Sequence, residues 1–329
     1  VIVPQAENIE CIQALAREYP HITLLTQPES LAEHYQHSDL FVGALGTSLY
    51  ELAALTLPAI TFSIAENQEN DIFALQALGH YLHLPRFEAH QGEQLAKLVQ
   101  VLLANLERFQ TLRINPRVNV DGYGADRVAA ILLANSTDEI SEKLASDEGT
   151  LPRDSSERLT DNIAIRPVND FDINHYLYSR NLTSNAQRMT IQEEIPRLSH
   201  YLWWYTTNRA SFMLTEKGKE KLYIWDSVKN KDGQSYLYGG WFTTGDEVPF
   251  NLAMLALKWQ LKRSAEQYPS AKWLAVIHKE NKFVNLLNQY MGFKTINNED
   301  ERQVTQLIFP SATEQSFNYV SLACKDINL

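Results

Sequence analysis

The chain has 329 residues, more than one hydrophobic core usually serves, so its length predicts two domains. It carries 29 lysines and arginines against 40 aspartates and glutamates, and this net charge of −11 argues against nucleic acid or an anionic membrane as the main partner. The two cysteines form no CxxC pair, so neither a disulfide framework nor a metal site is expected, and a cytoplasmic location fits. No apolar run approaches the ~18 residues of a membrane-spanning helix.

Residues 1 to about 135 alternate short apolar strands with amphipathic helices. Strands are predicted at 1–3, 23–25, 40–42 and 60–64, and helices at 6–18, 31–36, 48–54, 70–78, 92–105 and 124–133. Such alternation indicates an α/β, Rossmann-like half-domain whose parallel sheet is covered on both faces. Ligands of such sheets bind beyond the carboxyl ends of the strands.

The segment 39–68 combines features that suit a nucleoside diphosphate. A glycine turn ending at Gly46 lets backbone approach a ligand, and the helix opened by Thr47 and Ser48 offers N–H groups to an anion. Glu51, one turn into that helix, can accept hydrogen bonds from a ribose diol. An ordinary βαβ unit with a Thr-Ser cap explains the same pattern equally well.

The same segment resembles the nucleotide-sugar half of the GT-B superfamily, and above all the UDP-sugar hydrolases of pseudaminic acid biosynthesis (UDP-2,4-diacetamido-2,4,6-trideoxy-β-L-altropyranose hydrolase). The similarity covers roughly residues 1–134. The features that carry it are, in order, Asp39, Gly43 to Ser48, Glu51, Leu57-Pro58 and Asn67-Gln68.

This resemblance implies that a UDP-sugar is the ligand. It implies that Gly46, Thr47 and Ser48 meet the diphosphate, that Glu51 holds the ribose, and that Asn67 and Gln68 touch the sugar. The family's catalytic histidine lies in an N-terminal GT-B half that would precede Val1, so we expect no hydrolase activity from this chain alone and assign no catalytic residue. Surface or loop positions are predicted for the histidines of this part: His21, His34, His37, His80, His83 and His90.

Residues 136–161 are rich in Ser, Asp, Glu and Thr and predict a linker. Beyond it, residues 162–329 predict an α+β domain. Its strands are expected at 163–168, 210–215, 221–227, 235–243, 271–278, 292–296 and 303–308, and its helices at 172–179, 191–204, 251–267 and 282–290. Turns at Lys217-Gly218 and Lys231-Asp232-Gly233 join the three central strands into a meander.

This order of elements resembles the GNAT acetyltransferase fold. One local match is a strand ending Val276-Ile277-His278, followed by Asn281, a helix and Gly292-Phe293. The earlier part resembles the sugar-nucleotide N-acetyltransferases of the same pseudaminic acid pathway, and its matching residues are Arg166-Pro167-Val168, Arg180-Asn181, Arg188, Ile195, His200 and Trp203-Trp204. The resemblance implies acetyl-CoA as cofactor and an amino-sugar acceptor. It implies that acyl-CoA contacts come from Gly240, Trp241, Phe242, Gly245, Asn281 and Asn288.

Two positions depart from the family pattern. The loop before the long helix contains Gly245 as its one glycine, followed by Asp246 and Glu247, which would repel a pyrophosphate. Asn288 stands where the family places the tyrosine that protonates the departing thiolate, and Tyr290 should face elsewhere on its helix.

Several aromatic positions have two interpretations. Strand 235–243 is expected to present one aromatic face for sheet packing, and Gly239-Gly240 predicts a bulge or a close backbone approach. Trp203 or Trp204 should be core, whereas His200 stays open between core and acceptor pocket. The residues of the aromatic face are Tyr236, Tyr238 and Trp241.

The leading hypothesis is therefore an enzyme chain of nonulosonic (pseudaminic) acid biosynthesis, which joins half of a UDP-sugar hydrolase to a GNAT-like N-acetyltransferase domain. One alternative is a UDP-sugar-binding or partner-binding module with a degenerate GNAT domain and no turnover. The other is a fragment of a GT-B glycosyltransferase.

Overall fold

The computed structural model describes residues 2–3, 9–26, 28–68, 72–133, 156–245 and 247–327. Within them the chain forms a mixed α/β fold with both parallel and antiparallel sheets. The predicted linker falls largely outside the described residues, and the division into domains stays a prediction.

The N-terminal part is built on parallel strands, as its alternating pattern predicts. Strands β3, β4 and β5 form one parallel sheet in that order, and β1 and β2 form a separate parallel pair. Its elements are β1 (Ile2–Val3), α1 (Ile9–Glu18), β2 (Leu25–Thr26), α2 (Ala32–Gln36), β3 (Phe41–Ala44), α3 (Ser48–Ala54), β4 (Ala59–Phe62), α4 (Ile72–Ala77), β5 (Leu82–Leu84), α5 (Gly92–Leu103), α6 (Leu106–Ile114) and α7 (Gly124–Leu132). Strand β5 and helix α6 were not among the predicted elements.

The C-terminal part is one eight-stranded sheet with helices on both faces. Its strand order is β12-β13-β11-β10-β9-β8-β7-β6. The elements are β6 (Glu157–Arg158), β7 (Ile163–Pro167), α8 (Ile173–Asn181), α9 (Thr183–Ala186), α10 (Arg197–Thr206), β8 (Ala210–Glu216), β9 (Lys219–Lys231), β10 (Gln234–Thr243), α11 (Phe250–Gln267), β11 (Lys272–His278), α12 (Lys282–Tyr290), β12 (Lys294–Thr295), α13 (Glu299–Ile308) and β13 (Phe317–Ala323).

The meander β8-β9-β10 forms because its two turns suit tight hairpins. Lys217 and Gly218 have φ of 50° and 77°, and Asp232 and Gly233 have φ of 52° and 77°. Positive φ at both central residues is the geometry of a type I′ turn, whose twist matches that of the flanking strands. The predicted turns are confirmed, and strands β9 and β10 pair without interruption between them.

The sheet changes character between β10 and β11. These two strands are parallel, and their register contains only Tyr236 opposite Lys272 and Leu237 opposite Trp273. Beyond these pairs the strands diverge, although β10 stays paired with β9 and β11 with β13 along their whole lengths. We call this break in the ladder, with the inner edges of 238–243 and 274–278 on either side, the splay.

Three predicted elements differ from the structure. Residues 303–308 are helical, since they belong to α13, which Asn298 caps by accepting from Glu301 N. The helix expected from residue 191 begins only at Arg197, directly after Pro196. The end of the predicted linker, Glu157–Arg158, adds an edge strand to β7.

The described parts on either side of residues 134–155 pack against each other. One hydrophobic cluster includes Tyr81 and Leu98 from the first part and Tyr176 and Tyr201 from the second. Polar contacts cross the same boundary: Asn174 Nδ2 donates to Tyr81 O at 2.8 Å. The two parts therefore share a buried boundary in addition to the covalent connection.

Asp170 makes several polar contacts at this boundary. It accepts from Arg108 Nη2 and Nε at 2.7 and 3.0 Å, and from Trp204 Nε1 at 2.8 Å. Because Trp204 is buried, loss of its acceptor leaves an unpaired donor.

We expect Asp170→Ala to lower the free energy of unfolding by about 2–3 kcal/mol, since it removes charge-assisted hydrogen bonds and leaves the indole N–H of Trp204 without an acceptor. Urea denaturation checks this. Asp121→Ala, which breaks the solvent-exposed pair with Arg127, is the matched control and should change stability little. Equal losses in the two variants would show that the boundary contact contributes nothing of its own.

Candidate functional site

The splay leaves two strand edges without strand partners inside a central sheet. Backbone N–H and C=O groups almost always find hydrogen-bonding partners in folded proteins. The inner edges of 238–242 and 274–277 therefore offer donors and acceptors to an extended ligand that carries amides of its own. At the far ends the backbone is already paired: the Asn185 side chain bonds both N–H and C=O of Thr243, and His278 O accepts from Asn281 N and Asn285 Nδ2.

One end of the splay faces the start of α11. The loop from Thr243 contains Gly245 at φ 119°, a conformation that other residues rarely adopt, and leads to Pro249 at the N-cap. The N–H groups of Phe250 and Asn251 have no hydrogen-bond partner among the described residues. An 18-residue helix with free N–H groups at its start favours an anion there, whereas the exposed carboxylate of Glu247 opposes one.

Three aromatic rings meet beside this loop. Phe283 of α12 makes edge contacts with Trp241 and Phe250, with ring centroids 6.5 and 5.6 Å apart. Trp241 packs with Leu222 and Leu252 on the side of the sheet that α11 covers. We call this side the α11 face.

The prediction that Tyr236, Tyr238 and Trp241 share one face of β10 is wrong, because Trp241 lies on the other face. Tyr238 contacts Trp225 and Phe309 on the opposite side of the sheet, which α8 and α10 cover and which we call the α8 face. Because side chains alternate along a strand, Tyr236 and Tyr238 share a face, and Trp241, an odd number of residues further on, cannot.

The glycines of β10 permit a close approach and form no bulge. Gly239 lies opposite Asp226 and Gly240 opposite Trp225 in unbroken register. A Cβ on Gly239 would lie 2.3 Å from Trp225 O, which also accepts from Gln260 Nε2 at 2.9 Å. A side chain at residue 239 would therefore push β9 or α11 away from the splay.

The other predicted acyl-CoA residues have local roles in the structure. Asn281 caps α12 by accepting from Val284 N at 3.2 Å, and Asn288 donates to Val284 O at 2.9 Å. Phe242 is buried on the α8 face against Tyr176. Tyr290 is exposed and, as predicted, points away from the core.

The open question about His200 is answered by its burial. His200 Nε2 lies 2.8 Å from Ile173 O, and burial lowers the pKa of the imidazole to about 4. Trp204 is buried and Trp203 partly so, which confirms the core assignment for Trp204. His200 is therefore a neutral core residue that holds α10 against α8.

In the N-terminal part, the two predicted ligand loops lie at the same edge of the sheet. Leu45 N donates to Phe62 O at 2.9 Å, so the turns that follow β3 and β4 are adjacent. Thr47 and Glu51 are exposed beside them, and Ser48 is half-buried.

Of the two residues predicted to contact the sugar, Gln68 uses its side-chain oxygen within the protein. Gln68 Oε1 accepts from Ile64 N at 2.9 Å and thereby closes its own turn. The Asn67 side chain lies outside the described residues.

The prediction of surface or loop positions is wrong for His83, which lies in strand β5, whereas His80 does lie in a loop, between α4 and β5, but is buried there. His80 and His83 are both about 99% buried, since each is 1% exposed. Thr61 Oγ1 lies 2.7 Å from His80 Nε2 and 2.9 Å from His83 Nδ1, and Ser63 Oγ lies 3.2 Å from His83 Nε2. Ser63 in turn donates to Gln68 O at 2.8 Å.

The donors of this chain can be assigned by following it from Ser63. Because Ser63 donates to Gln68 O, it accepts from His83 Nε2–H, so His83 Nδ1 accepts from the Thr61 hydroxyl. Thr61 then accepts from His80 Nε2–H. Both imidazoles are neutral, and burial lowers the pKa of His83 to about 4 and that of His80 well below 6.5.

Among the described residues no cluster of three or more histidine, cysteine, aspartate or glutamate side chains could hold a metal ion. No helix in this part of the chain is long and apolar enough to cross a membrane.

No family model matches the chain, and no curated protein does. An N-acetyltransferase from Staphylococcus aureus Mu50 is similar in structure, with 14% identity and a TM-score of 0.40 over 50% of this chain and 100% of that chain. A ribosomal-protein-S5-alanine acetyltransferase from Vibrio fischeri has 11% identity and a TM-score of 0.40 over 54% and 100%. The ribosomal L7/L12 alpha-N-protein acetyltransferase RimL, in complex with coenzyme A, has 8% identity and a TM-score of 0.39 over 52% and 99%.

The buried histidines predict a loss of stability in acid. Their pKa values are lower in the folded chain than the ordinary 6.5, so the unfolded chain takes up protons first. The free energy of unfolding should fall from about pH 6.5 to pH 4, by up to about 1.4 kcal/mol per pH unit for each histidine. Urea denaturation across this range measures the slope.

His83→Gln should reduce that slope by up to one proton, since glutamine does not titrate. His90→Gln, at an exposed position, is the control and should leave the slope unchanged. An unchanged slope in the His83 variant would mean that the imidazole is protonated in the folded chain.

Proposed function

We propose that the C-terminal part of the chain is a GNAT-type N-acyltransferase that takes acetyl-CoA as donor and an amino group as acceptor. The observation that supports this most is the splay: an antiparallel meander ends in a single parallel pairing, which stops after two residue pairs. A long helix begins directly after the first of the diverging strands.

The residues that line the splay fit coenzyme A in two respects. Its pantetheine arm is an extended chain with amide groups, which suits the unpaired edges of 238–242 and 274–277. Its pyrophosphate suits the free N–H groups of Phe250 and Asn251 at the start of α11. When bound, acetyl-CoA would supply the acyl group as a thioester.

The protein's own part in such a reaction is to align the donor and to exclude water. Gly239 keeps β9, β10 and α11 close together, so the edge of β10 is held rigidly. Trp241, Phe250 and Phe283 form an apolar wall on the α11 face, which would exclude water from that side of the splay. The acceptor would then approach from the α8 face.

An amino sugar as acceptor, and a place in nonulosonic acid biosynthesis, are the finer parts of this proposal. They derive from the resemblance of residues 1–134 to UDP-sugar hydrolases of that pathway, since neighbouring activities in one chain are chemically sensible. A GNAT domain that binds without turnover is the alternative, and an acetylation assay with glucosamine, glucosamine 6-phosphate and glucosaminuronic acid as acceptors separates the two.

Titration calorimetry of acetyl-CoA into the full chain tests the proposal, and we expect micromolar binding. Glu247→Gln should tighten binding by roughly 2–5-fold, with less effect at high salt, because it removes a carboxylate beside the helix start. Glu266→Gln, an equal charge change at the far end of α11, is the control and should have no effect. Absence of acetyl-CoA binding would exclude the acyltransferase.

We further propose that the N-terminal part binds a nucleoside diphosphate, as in a UDP-sugar. The supporting observation is the adjacency of the turns after β3 and β4 at the carboxyl edge of the sheet, joined by Leu45 N and Phe62 O. The hydrogen-bonded histidine chain, which ends at Gln68 O, holds the second of these turns in place. A GT-B glycosyltransferase fragment would share this site.

Glu51→Ala should weaken UDP binding on the order of tenfold, because the carboxylate would lose its hydrogen bonds to the ribose diol. Titration calorimetry with UDP measures this. Glu33→Ala, an equally exposed glutamate on α2, is the control. Unchanged UDP affinity in the Glu51 variant would remove this residue from the site.

A further inference from the structure

Arg180, near the end of α8, is a buried cation with an N–H donor that has no partner among the described residues. Its residue is 93% buried, since only 7% of it is exposed. Nη2 donates to Ile191 O at 2.6 Å, whereas Nη1 is buried without a hydrogen-bond partner among the described residues. Arg180 forms no ion pair there, although the exposed Glu193 acts on it electrostatically. A buried guanidinium with an unpaired N–H group destabilises the fold unless a ligand accepts a hydrogen bond from it.

Arg209, at the start of β8, is a second cation close by. Its guanidinium carbon lies 3.7 Å from the ring centroid of Trp225 and 5.0 Å from that of Trp203. The side chain donates no hydrogen bond and forms no ion pair within the described part of the chain. Stacking on aromatic faces fixes the guanidinium plane and leaves the N–H edge available.

The two arginines belong to one site. Tyr176 lies one helical turn before Arg180, and its ring contacts Trp203, which also contacts Arg209. Repulsion from Arg209 adds to the desolvation that lowers the pKa of Arg180. The Tyr176 hydroxyl is also buried without a partner among the described residues.

This site lies on the α8 face beside the splay. Trp225 pairs with Gly240 on the neighbouring strand, and its indole atoms lie 3.4 Å from the position of a Cβ on Gly240. Tyr176 reaches the same strand further along, with its ring centroid 4.9 Å from that of Phe242. Both arginines are thus placed where an acceptor would approach a donor bound in the splay.

We propose that Arg180 and Arg209, with the Tyr176 hydroxyl, bind an oxyanion of the acyl acceptor, so that the acceptor is an amine carrying a carboxylate or a phosphate. This inference rests on the proposed acyltransferase. The free N–H edge of Arg209 and the unpaired Nη1 of Arg180 supply donors for the oxygens of a carboxylate or phosphate, which a neutral amine lacks. The stacked tryptophans keep one cation oriented before the ligand arrives.

Calorimetry on the full chain in the presence of CoA tests the inference with three matched probes. Glucosamine is the probe without an oxyanion, glucosamine 6-phosphate carries a phosphate, and glucosaminuronic acid carries a carboxylate. We expect at least one charged probe to bind on the order of tenfold or more tighter than glucosamine, and the stronger of the two identifies the oxyanion.

Arg209→Gln should abolish this preference, since it removes the more accessible cation without opening the core. Arg188→Gln, an exposed arginine on the loop after α9, is the control and should keep it. Arg180→Lys keeps the positive charge but lacks the planar set of N–H donors of a guanidinium, so it should weaken the preference. Far-ultraviolet circular dichroism confirms that each variant is folded.

Equal binding of the three probes, no binding of either charged probe, or an undiminished preference in Arg209→Gln would overturn the inference. Acetyl-CoA titrated into the same preparation separates this failure from that of the proposed function. If acetyl-CoA binds while the charged probes do not, the oxyanion site is excluded and the proposed acyltransferase is not. If the charged probes bind through Arg209 and acetyl-CoA does not bind, the oxyanion site is supported and the acyltransferase is excluded.

Discussion

The short parallel pairing of β10 with β11 is the constraint on which the C-terminal architecture depends. Each strand is tied along its whole length to an antiparallel partner, β9 on one side and β13 on the other. Those partners hold the two strands apart once their shared register ends at Leu237 and Trp273. The opening is therefore a property of the whole sheet, and local side-chain movements do not close it.

This constraint also gives the two faces of the sheet different roles. The α11 face is packed with apolar residues and ends in the aromatic wall of Trp241, Phe250 and Phe283. On the α8 face, Tyr176 and Arg180 each keep a buried polar atom without a partner among the described residues. A donor placed between the strands would thus have apolar protection on one side and cationic recognition on the other. The N-terminal part packs against α8 and α10, and it helps to position the helix that carries Arg180.

The elements that could be predicted from sequence are those with strong local signals. The hairpins were predictable because Lys217-Gly218 and Asp232-Gly233 favour positive φ, and the parallel strands because short apolar runs alternate with amphipathic helices. Helix α13 was mistaken for a strand because its apolar residues Val304, Leu307 and Ile308 suit a strand equally well. The Asn298 cap and the acidic first turn were available as contrary signals.

The features that sequence could not reveal depend on partners far apart in the chain. His80 and His83 are buried because Thr61, about twenty residues earlier, pairs with both, and a spacing of that kind carries no local pattern. The position of the Arg209 guanidinium likewise depends on Trp203 and Trp225, which come from different elements of the chain. The alternation of side chains along a strand, by contrast, is enough by itself to place Trp241 and Tyr238 on opposite faces of the sheet. The resemblance of residues 1–134 to UDP-sugar hydrolases stays a prediction.

Amide hydrogen exchange of the full chain, with and without acetyl-CoA, tests the central claim most directly. If the splay is the donor site, acetyl-CoA should slow exchange at residues 238–243 and 274–278 and at the start of α11, and leave β8 and β9 unchanged. Unchanged exchange at both inner edges under saturating acetyl-CoA, or protection confined to the N-terminal part, would contradict the account.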